Sequence, residues 1–252
     1  MARRGSVLRD ALTFGGQAPL AVGGLVAAMA LATGLPLLFR SLGTLLWLTS
    51  PRLAGDAVVV EAWRYLTWPF VQPPQDLLIL TLLFAGVSLL WLGRQLAFAW
   101  SEGRFLLRFF AIAFFTGLLS QLAWALLGVP VAYAGMWPMV NALTVTWGLI
   151  FPHQRISWFG AVQMSGAGVA RLFFVGTPIY ALVMGGASSI PFRLLEYLPH
   201  LFAIWLAWLL VTGGPRRILY RLGTWWEGRR MASKRRRFKV IDPGKPPREY
   251  LN

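Results

Sequence analysis

Residues 135–152 read GMWPMVNALTVTWGLIFP, and this stretch decides how the rest of the chain is interpreted. It contains no ionisable side chain, and its length and apolar character are those of a membrane helix. Its beginning is unusual, because it opens with Gly135 and Pro138, which disfavour a helix interior, and carries the polar amide of Asn141. We therefore predict a membrane helix that begins near residue 131 or 135, ends near 151 and has a special arrangement at its start.

The composition of the whole chain is typical of a polytopic helical membrane protein. Among its 252 residues, 57% are hydrophobic and 13% are charged, whereas soluble domains have about 25% charged residues. Cysteine is absent, which excludes disulfides, thiolate chemistry and zinc sites built from cysteine. Histidine, aspartate and glutamate show no metal-ligand spacing, so we expect neither a metal nor another cofactor.

Apolar runs recur along the chain and predict an all-α membrane protein with six transmembrane helices. The predicted helices cover about residues 18–39, 76–97, 105–127, 135–151, 169–184 and 192–211. Glycine, proline and charged residues separate them. The resulting organisation is a basic arm at 1–17, a membrane domain at 18–214 with a long first loop at 40–75, and a basic tail at 215–252.

Positive charge predicts the orientation of these helices. The arm, the turn at 94–108, the connection at 153–171 and the tail carry an excess of Lys and Arg, whereas the loops on the opposite side are balanced or uncharged. Because loops rich in Lys and Arg stay in the cytoplasm, both termini are predicted to be cytoplasmic. The expected location is the plasma (inner) membrane.

The tail is the most basic region and holds half of all Lys and Arg residues. Its clustered cations are Arg229, Arg230, Lys234, Arg235, Arg236 and Arg237. Next to a membrane helix, such a cluster predicts binding to anionic lipid headgroups, with about 1 kcal/mol from each cation. The alternative is a solvated tail that only fixes the topology. Nucleic acid is not expected as a partner, because the tail contains no recognisable nucleic-acid-binding module.

Motifs between residues 60 and 212 occur in an order that resembles the rhomboid family of intramembrane serine proteases. Trp63 and Arg64 begin the segment WRYLTWPF, which is similar to the W-R-x-x-T-x-x-F segment in the first loop of the family. Residues 135–143, GMWPMVNAL, are similar to the family's G-A-S-G-A-V-x-A-L run.

A third motif lies on the last predicted helix, where His200 is followed by Ala203 and Ala207. In the family, a catalytic histidine and two closely packed glycines occupy these positions. The resemblance therefore implies a six-helix rhomboid-like bundle, in which a serine at the start of the fourth helix would use this histidine as its base.

The resemblance also implies that this chain is catalytically inactive. Trp137 occupies the serine position, and an indole ring cannot attack a carbonyl carbon. Its ring is expected to fill the cavity in which the family holds water. The family's His and Asn on helix two correspond here to Thr81 and Ala85, or to Leu82 and Gly86 if the alignment shifts by one.

His200 is therefore expected to keep only a hydrogen-bonding or packing role, with Asn141 or Trp137 as its partner. Gln72 replaces a further histidine of the family in the first loop. A substitute nucleophile would have to be a hydroxyl deeper in the fourth helix or in the turn before the sixth, namely Thr144, Thr146, Ser188 or Ser189.

Relatives that lack the catalytic pair, such as Derlins, bind other membrane proteins, so the resemblance implies a pseudoprotease that binds transmembrane segments of clients. The residues expected to form its gate or structural motif are Trp63, Arg64, Gly135, Asn141, Ala203 and Ala207. The gate would open between helices two and five, near Ala85, Gly86, Gly176 and Pro178. Two alternatives remain: an active protease with a non-standard nucleophile, and a structural or transport subunit that uses the same fold.

Overall fold

Most of the described chain is helical, and three of its helices are long and apolar enough to cross a membrane. The computed structural model describes residues 11–13, 16, 18–39, 45–49, 63–73, 77–158, 162–184, 194–214 and 226. The helices are α1 (Leu20–Leu38), α2 (Arg64–Thr67), α3 (Leu78–Trp100), α4 (Glu102–Leu127), α5 (Trp137–Ile150), α6 (Gly166–Met184) and α7 (Leu198–Thr212). The strands are β1 (Leu48–Thr49), β2 (Ala132–Tyr133), β3 (Arg155–Trp158) and β4 (Val162–Ser165).

The three membrane-length helices are α3, α4 and α6, as expected of a helical membrane protein. Helices α5 and α7 are shorter, with 14 and 15 residues. Helix α5 has 14 residues, which is about 21 Å at 1.5 Å per residue, against the roughly 30 Å of a bilayer core. Length and composition therefore identify three candidate membrane spans, and six spans remain a prediction.

The junction between α3 and α4 differs from the predicted turn of several polar residues. Helix α3 continues to Trp100 and α4 begins at Glu102, so Ser101 alone connects them, with a φ of +73° in the left-handed region. The carboxylate of Glu102 accepts a hydrogen bond from the backbone N–H of Ala21 at 2.9 Å. A negative charge is favourable at a helix N-terminus, and this one serves the beginnings of both α1 and α4, which therefore lie together.

Two short antiparallel strand pairs correct the all-α prediction. β1 pairs with β2, with Leu48 opposite Tyr133, and this ties the first loop to the segment before α5. β3 pairs with β4, with Arg155 opposite Ser165, and forms a hairpin within the connection at 153–171. The sequences RISW and VQMS alternate polar and apolar residues, which is the period of a strand.

Helix α5 packs against α3, α6 and α7, and most of its side chains are buried. Gly148 permits the close approach of α6, because a Cβ at this position would lie 2.3 Å from the carbonyl oxygen of Gly166 and 2.9 Å from the Cβ of Ala170. On α7, Ala203 and Ala207 are fully buried. Small residues of this kind allow membrane helices to pack closely.

The motif that begins at Trp63 and Arg64 holds the first loop in place. The indole N–H of Trp63 donates to the carbonyl of Leu45 at 3.1 Å, and the guanidinium of Arg64 donates to the carbonyl of Trp47 at 2.8 Å. The indole N–H of Trp68 donates to a carbonyl of α4 at 3.2 Å. These bonds give the motif a structural role, because they tie the loop to itself and to a membrane-length helix.

The chain divides into two units, Met1–Thr212 and Gly213–Asn252, and all the helices and strands above belong to the first. The cationic cluster of the tail (Arg229, Arg230, Lys234, Arg235, Arg236 and Arg237) lies outside the described residues, as does the arm before residue 11. The lipid-binding role of the tail therefore stays a prediction.

Candidate functional site

Three polar side chains meet at the N-terminal ends of α5 and α7. Nδ1 of His200, on α7, lies 2.9 Å from the amide nitrogen of Asn141 on α5. Nε2 of His200 lies 2.7 Å from the hydroxyl oxygen of Tyr133 on β2. The predicted contact between His200 and Asn141 is therefore present, and Tyr133 is a third member that sequence reasoning missed. We call these three residues the histidine cluster.

The hydrogen bonds of the histidine cluster fix the protonation of the imidazole. An amide nitrogen can only donate, so Asn141 donates to Nδ1, and the single proton of the neutral ring is on Nε2. Nε2–H then donates to the hydroxyl oxygen of Tyr133. A doubly protonated ring would set an N–H group against the amide N–H of Asn141, so the arrangement holds His200 neutral.

Tyr133, in the segment between α4 and α5, is held neutral as well. Burial raises the pKa of its phenol well above the usual range, and the neighbouring Tyr197 raises that pKa further. The rings of Tyr133 and His200 meet edge to face, with their centroids 5.8 Å apart. A phenol that resists ionisation is a weak nucleophile, so Tyr133 orients the imidazole and is unsuited to attack a carbonyl.

Trp137 lies beside the histidine cluster but does not fill the space there. Its side chain is 39% exposed, and it lines an open cavity of about 850 Å³ together with His200. The prediction that the indole ring fills this cavity is therefore wrong. The cause is that Trp137 is the first residue of α5. Side chains on a helix lean toward its N-terminus, so a ring at this position extends past the end of the helix.

The cavity lies between α5, α6 and the beginning of α7, and we call it the aromatic cavity. Its lining residues are Tyr133, Trp137, Asn141, Leu172, Phe173, Gly176, Thr177, Tyr180, Glu196, Tyr197 and His200. Aromatic side chains are the most frequent type among them. Glu196 is the only Asp, Glu, Lys or Arg in the part of this lining that the structure describes.

A second cavity, of about 210 Å³, also borders Trp137. Its lining residues are Trp47, Gln72, Pro73, Thr81, Ala132, Tyr133, Ala134 and Trp137. Trp137 and Tyr133 line both cavities, so these two side chains separate the aromatic cavity from the smaller one.

The position of Thr81 shows which of two residue pairs on α3 faces the site, Thr81 with Ala85 or Leu82 with Gly86. It lines the smaller cavity next to Trp137. Gly86 instead faces α1, because a Cβ there would lie 3.5 Å from the terminal methyl of Met29. The register with Thr81 and the fully buried Ala85 is therefore the one directed toward the start of α5.

Gln72 in the first loop also borders the smaller cavity. Its side chain is 4% exposed, and its backbone N–H donates to the hydroxyl of Thr33 at 3.1 Å. Among the described residues, its amide nitrogen has no hydrogen-bond partner. Its amide oxygen lies 3.4 Å from where a Cβ on Gly135 would be, and Gly135 has a φ of +131°, which favours glycine.

The hydroxyl groups considered as substitute nucleophiles do not border the aromatic cavity where the structure describes them. Thr144 donates to the carbonyl of Val140 at 2.8 Å, and Thr146 is 1% exposed. Ser188 and Ser189 lie outside the described residues. Besides the phenols of three tyrosines, the hydroxyl-bearing residue in the described lining is Thr177 on α6, which the helical pattern gives no reason to select.

The predicted gate residues lie in two different environments. Gly176 lines the aromatic cavity, and Pro178 follows it within α6. Proline has no N–H, so the helix ladder is weakened at this point and α6 is easier to bend beside the cavity. Ala85 and Gly86 are buried on α3, and Gly86 faces α1, so the opening between α3 and α6 stays a prediction.

In the described residues, no group of three His, Cys, Asp or Glu side chains is arranged to hold a metal ion. Comparison of the chain with protein-family models and with curated proteins gives no match.

Proposed function

We propose that this chain is a catalytically inactive, rhomboid-like membrane protein, a pseudoprotease, that binds transmembrane segments of client or partner proteins. The observation that carries the proposal is the open aromatic cavity beside His200, which has a tryptophan and no serine at the start of α5. The proposal combines loss of hydrolysis with retention of a binding surface, and each part has its own support.

The histidine cluster supports loss of hydrolysis. A general base needs its nucleophile within hydrogen-bond reach, roughly 2.6–3.2 Å. The two ring nitrogens of His200 have other partners, the amide of Asn141 at 2.9 Å and the phenol of Tyr133 at 2.7 Å. The hydroxyl that contacts the imidazole is therefore that of Tyr133, and its raised pKa opposes activation.

The aromatic cavity and the exposed face of α6 support a binding role. The volume of about 850 Å³ falls in the range of roughly 300–1,000 Å³ that is usual for binding pockets. On α6, Leu172, Val175 and Ile179 follow one another at helical spacing and are 50%, 58% and 54% exposed. An apolar client helix could lie along this face while its side chains enter the cavity.

Site-specific photocrosslinking in native membranes tests client binding. A photoreactive residue replaces Leu172, which lines the cavity and is 50% exposed. The matched control replaces Leu122 on α4, which is 53% exposed and lies outside the cavity lining. We expect crosslinks to membrane-spanning proteins from position 172 and lipid adducts alone from position 122.

Equal recovery of protein partners from both positions would contradict a specific client surface. Recovery of one stoichiometric partner, with no other client, would instead identify the chain as a structural subunit.

An active protease with a non-standard nucleophile is the second candidate, and the open cavity beside His200 favours it because water and a peptide could both enter. Thr177 is the lining hydroxyl that such a reaction would use. In that case the unchanged protein would cleave a transmembrane reporter, and both His200→Ala and Thr177→Val would abolish cleavage. The inactive proposal predicts no cleavage in any of the three proteins.

A further inference from the structure

We infer that, when no client occupies it, the aromatic cavity binds an organic ammonium group through Glu196 and the surrounding rings, and that its occupant is then the amine headgroup of a membrane phospholipid. The inference goes beyond client binding, because the ligand class follows from the chemistry of the cavity lining.

The lining carries one negative charge in a chain of strongly positive charge. The sequence has 24 Lys and Arg and a formal net charge of +15. Even so, Glu196 is the only Asp, Glu, Lys or Arg among the described residues that line the cavity. His200 and Tyr133 add no charge, because the hydrogen bonds of His200 hold the imidazole neutral and burial opposes ionisation of the Tyr133 phenol. A carboxylate set among aromatic and apolar groups is stabilised by a cation, so the cavity favours a positively charged ligand.

Aromatic rings line the same cavity as this carboxylate. Tyr197 directly follows Glu196, and its ring centroid lies 5.8 Å from that of Tyr180 and 5.2 Å from that of His200. The indole of Trp137 is 39% exposed at the cavity edge. Ammonium groups are attracted to the faces of Tyr and Trp, and cages of such rings recognise alkylammonium ligands. The rings and the carboxylate therefore select the same chemical group.

The position of the cavity and its apolar extension favour a lipid over a small cation. Tryptophan and tyrosine are enriched at the headgroup level of membranes, and several of them line this cavity. Leu172 and Phe173 continue the lining along α6, and the adjacent Val175 is 58% exposed. A phospholipid supplies an ammonium for Glu196 and acyl chains for this face of α6, whereas a small cation supplies only the first.

Native mass spectrometry of the full chain tests the inference. The protein is released from mixed micelles that contain equal amounts of phosphatidylethanolamine and phosphatidylglycerol with identical acyl chains, and the retained adducts of each lipid are counted. We expect Glu196→Gln to reduce the phosphatidylethanolamine adducts about tenfold and to leave the phosphatidylglycerol adducts unchanged. Glu227→Gln removes the same charge from the tail and should change neither count.

A second variant provides an independent test in case Glu196→Gln does not fold. Tyr180→Leu removes a ring that is 52% exposed, so it should weaken phosphatidylethanolamine retention without loss of the folded protein. Its control is Phe98→Leu on α3, which removes a ring that is 72% exposed and outside the cavity lining. The inference would be overturned if the two lipids were retained equally and neither Glu196→Gln nor Tyr180→Leu changed their retention.

A comparison of two peptides distinguishes binding of a lipid from binding of a client protein. Two transmembrane peptides that differ only by Lys or Gln at the interfacial position are compared for binding. A Glu196-dependent preference for the Lys peptide, with no preference between the lipids, would replace the lipid by a client and overturn the assignment. Crosslinking from position 172 can fail while the lipid preference persists, so the two proposals fail separately.

Discussion

The amide nitrogen of Asn141 lies 2.9 Å from Nδ1 of His200, and this hydrogen bond joins α5 to α7 at the wall of the aromatic cavity. Tyr133 engages the other ring nitrogen at 2.7 Å. Polar groups in such surroundings are costly to leave unpaired, so the bonds stabilise the contact between the two helices. His200 thus has a structural role that does not depend on any reaction.

Asn141→Leu should lower the free energy of unfolding by about 1–3 kcal/mol, because it leaves Nδ1 of His200 without its donor. Unfolding in mixed detergent micelles measures the loss. The double variant with His200→Leu should recover part of it, since neither polar group then remains unpaired. Strictly additive losses from the two single variants would show that the residues do not form an energetic pair.

Trp137→Ala should destabilise the protein much less than Trp147→Ala. Trp147 is fully buried on α5 and donates to the side-chain oxygen of Gln95 at 2.8 Å, whereas Trp137 is 39% exposed. Truncation of a buried tryptophan costs about 3–5 kcal/mol, and we expect less than about 1.5 kcal/mol at position 137. Thermal unfolding of the two variants in one detergent compares them. Similar losses would mean that the ring of Trp137 is packed inside the protein.

Gly135→Ala should cost about 1–3 kcal/mol. Gly135 has a φ of +131°, which residues with a Cβ rarely adopt, so the backbone opposes the change, whereas the amide oxygen of Gln72 would lie at an ordinary contact distance of 3.4 Å from the new Cβ. The control is Gly103→Ala on α4, where no atom lies within 4 Å of the new methyl group. We expect that control to be neutral or slightly stabilising in the same unfolding assay. Equal effects at the two positions would refute the strained geometry.

Thiol labelling checks the predicted orientation, and the absence of cysteine from the chain makes each introduced thiol specific. Gly103→Cys at the start of α4 and Ala132→Cys on β2 are both exposed. With both termini in the cytoplasm, a membrane-impermeant maleimide added to intact cells should label position 132 and spare position 103 until the membrane is opened. The reverse pattern would invert the topology.

The sequence alone was sufficient for the long helices, because an apolar run of bilayer length has few alternatives to a helix. It was insufficient at the junctions. A single residue, Ser101, connects α3 and α4 in place of the predicted polar turn. The carboxylate of Glu102 also accepts a hydrogen bond at the N-terminus of α1, and the two residues of this contact are 81 positions apart in the chain. The hairpin of β3 and β4 was hidden in the same way, since strands of four residues give only a weak periodic signal.

The residues of the candidate site could likewise be predicted only in part from the sequence. The contact of His200 with Asn141 could be predicted, because each residue stands on an apolar helix where a polar group needs a partner. Tyr133 and Thr177 could not, since they reach the site only when β2 and α6 pack beside α5. The direction of the Trp137 ring depends on the residue at which α5 begins, and helix boundaries are poorly determined by sequence.

Binding and cleavage of a transmembrane segment can be measured in the same sample. The purified protein in lipid nanodiscs is incubated with a transmembrane peptide that carries a fluorophore at each end. Crosslinking of the peptide to the protein then measures binding, and denaturing gels of the same samples measure cleavage. We predict that the intact peptide is crosslinked to the protein and that no fragments form, with or without His200→Ala. Fragments that appear with the unchanged protein and disappear with His200→Ala would contradict the account.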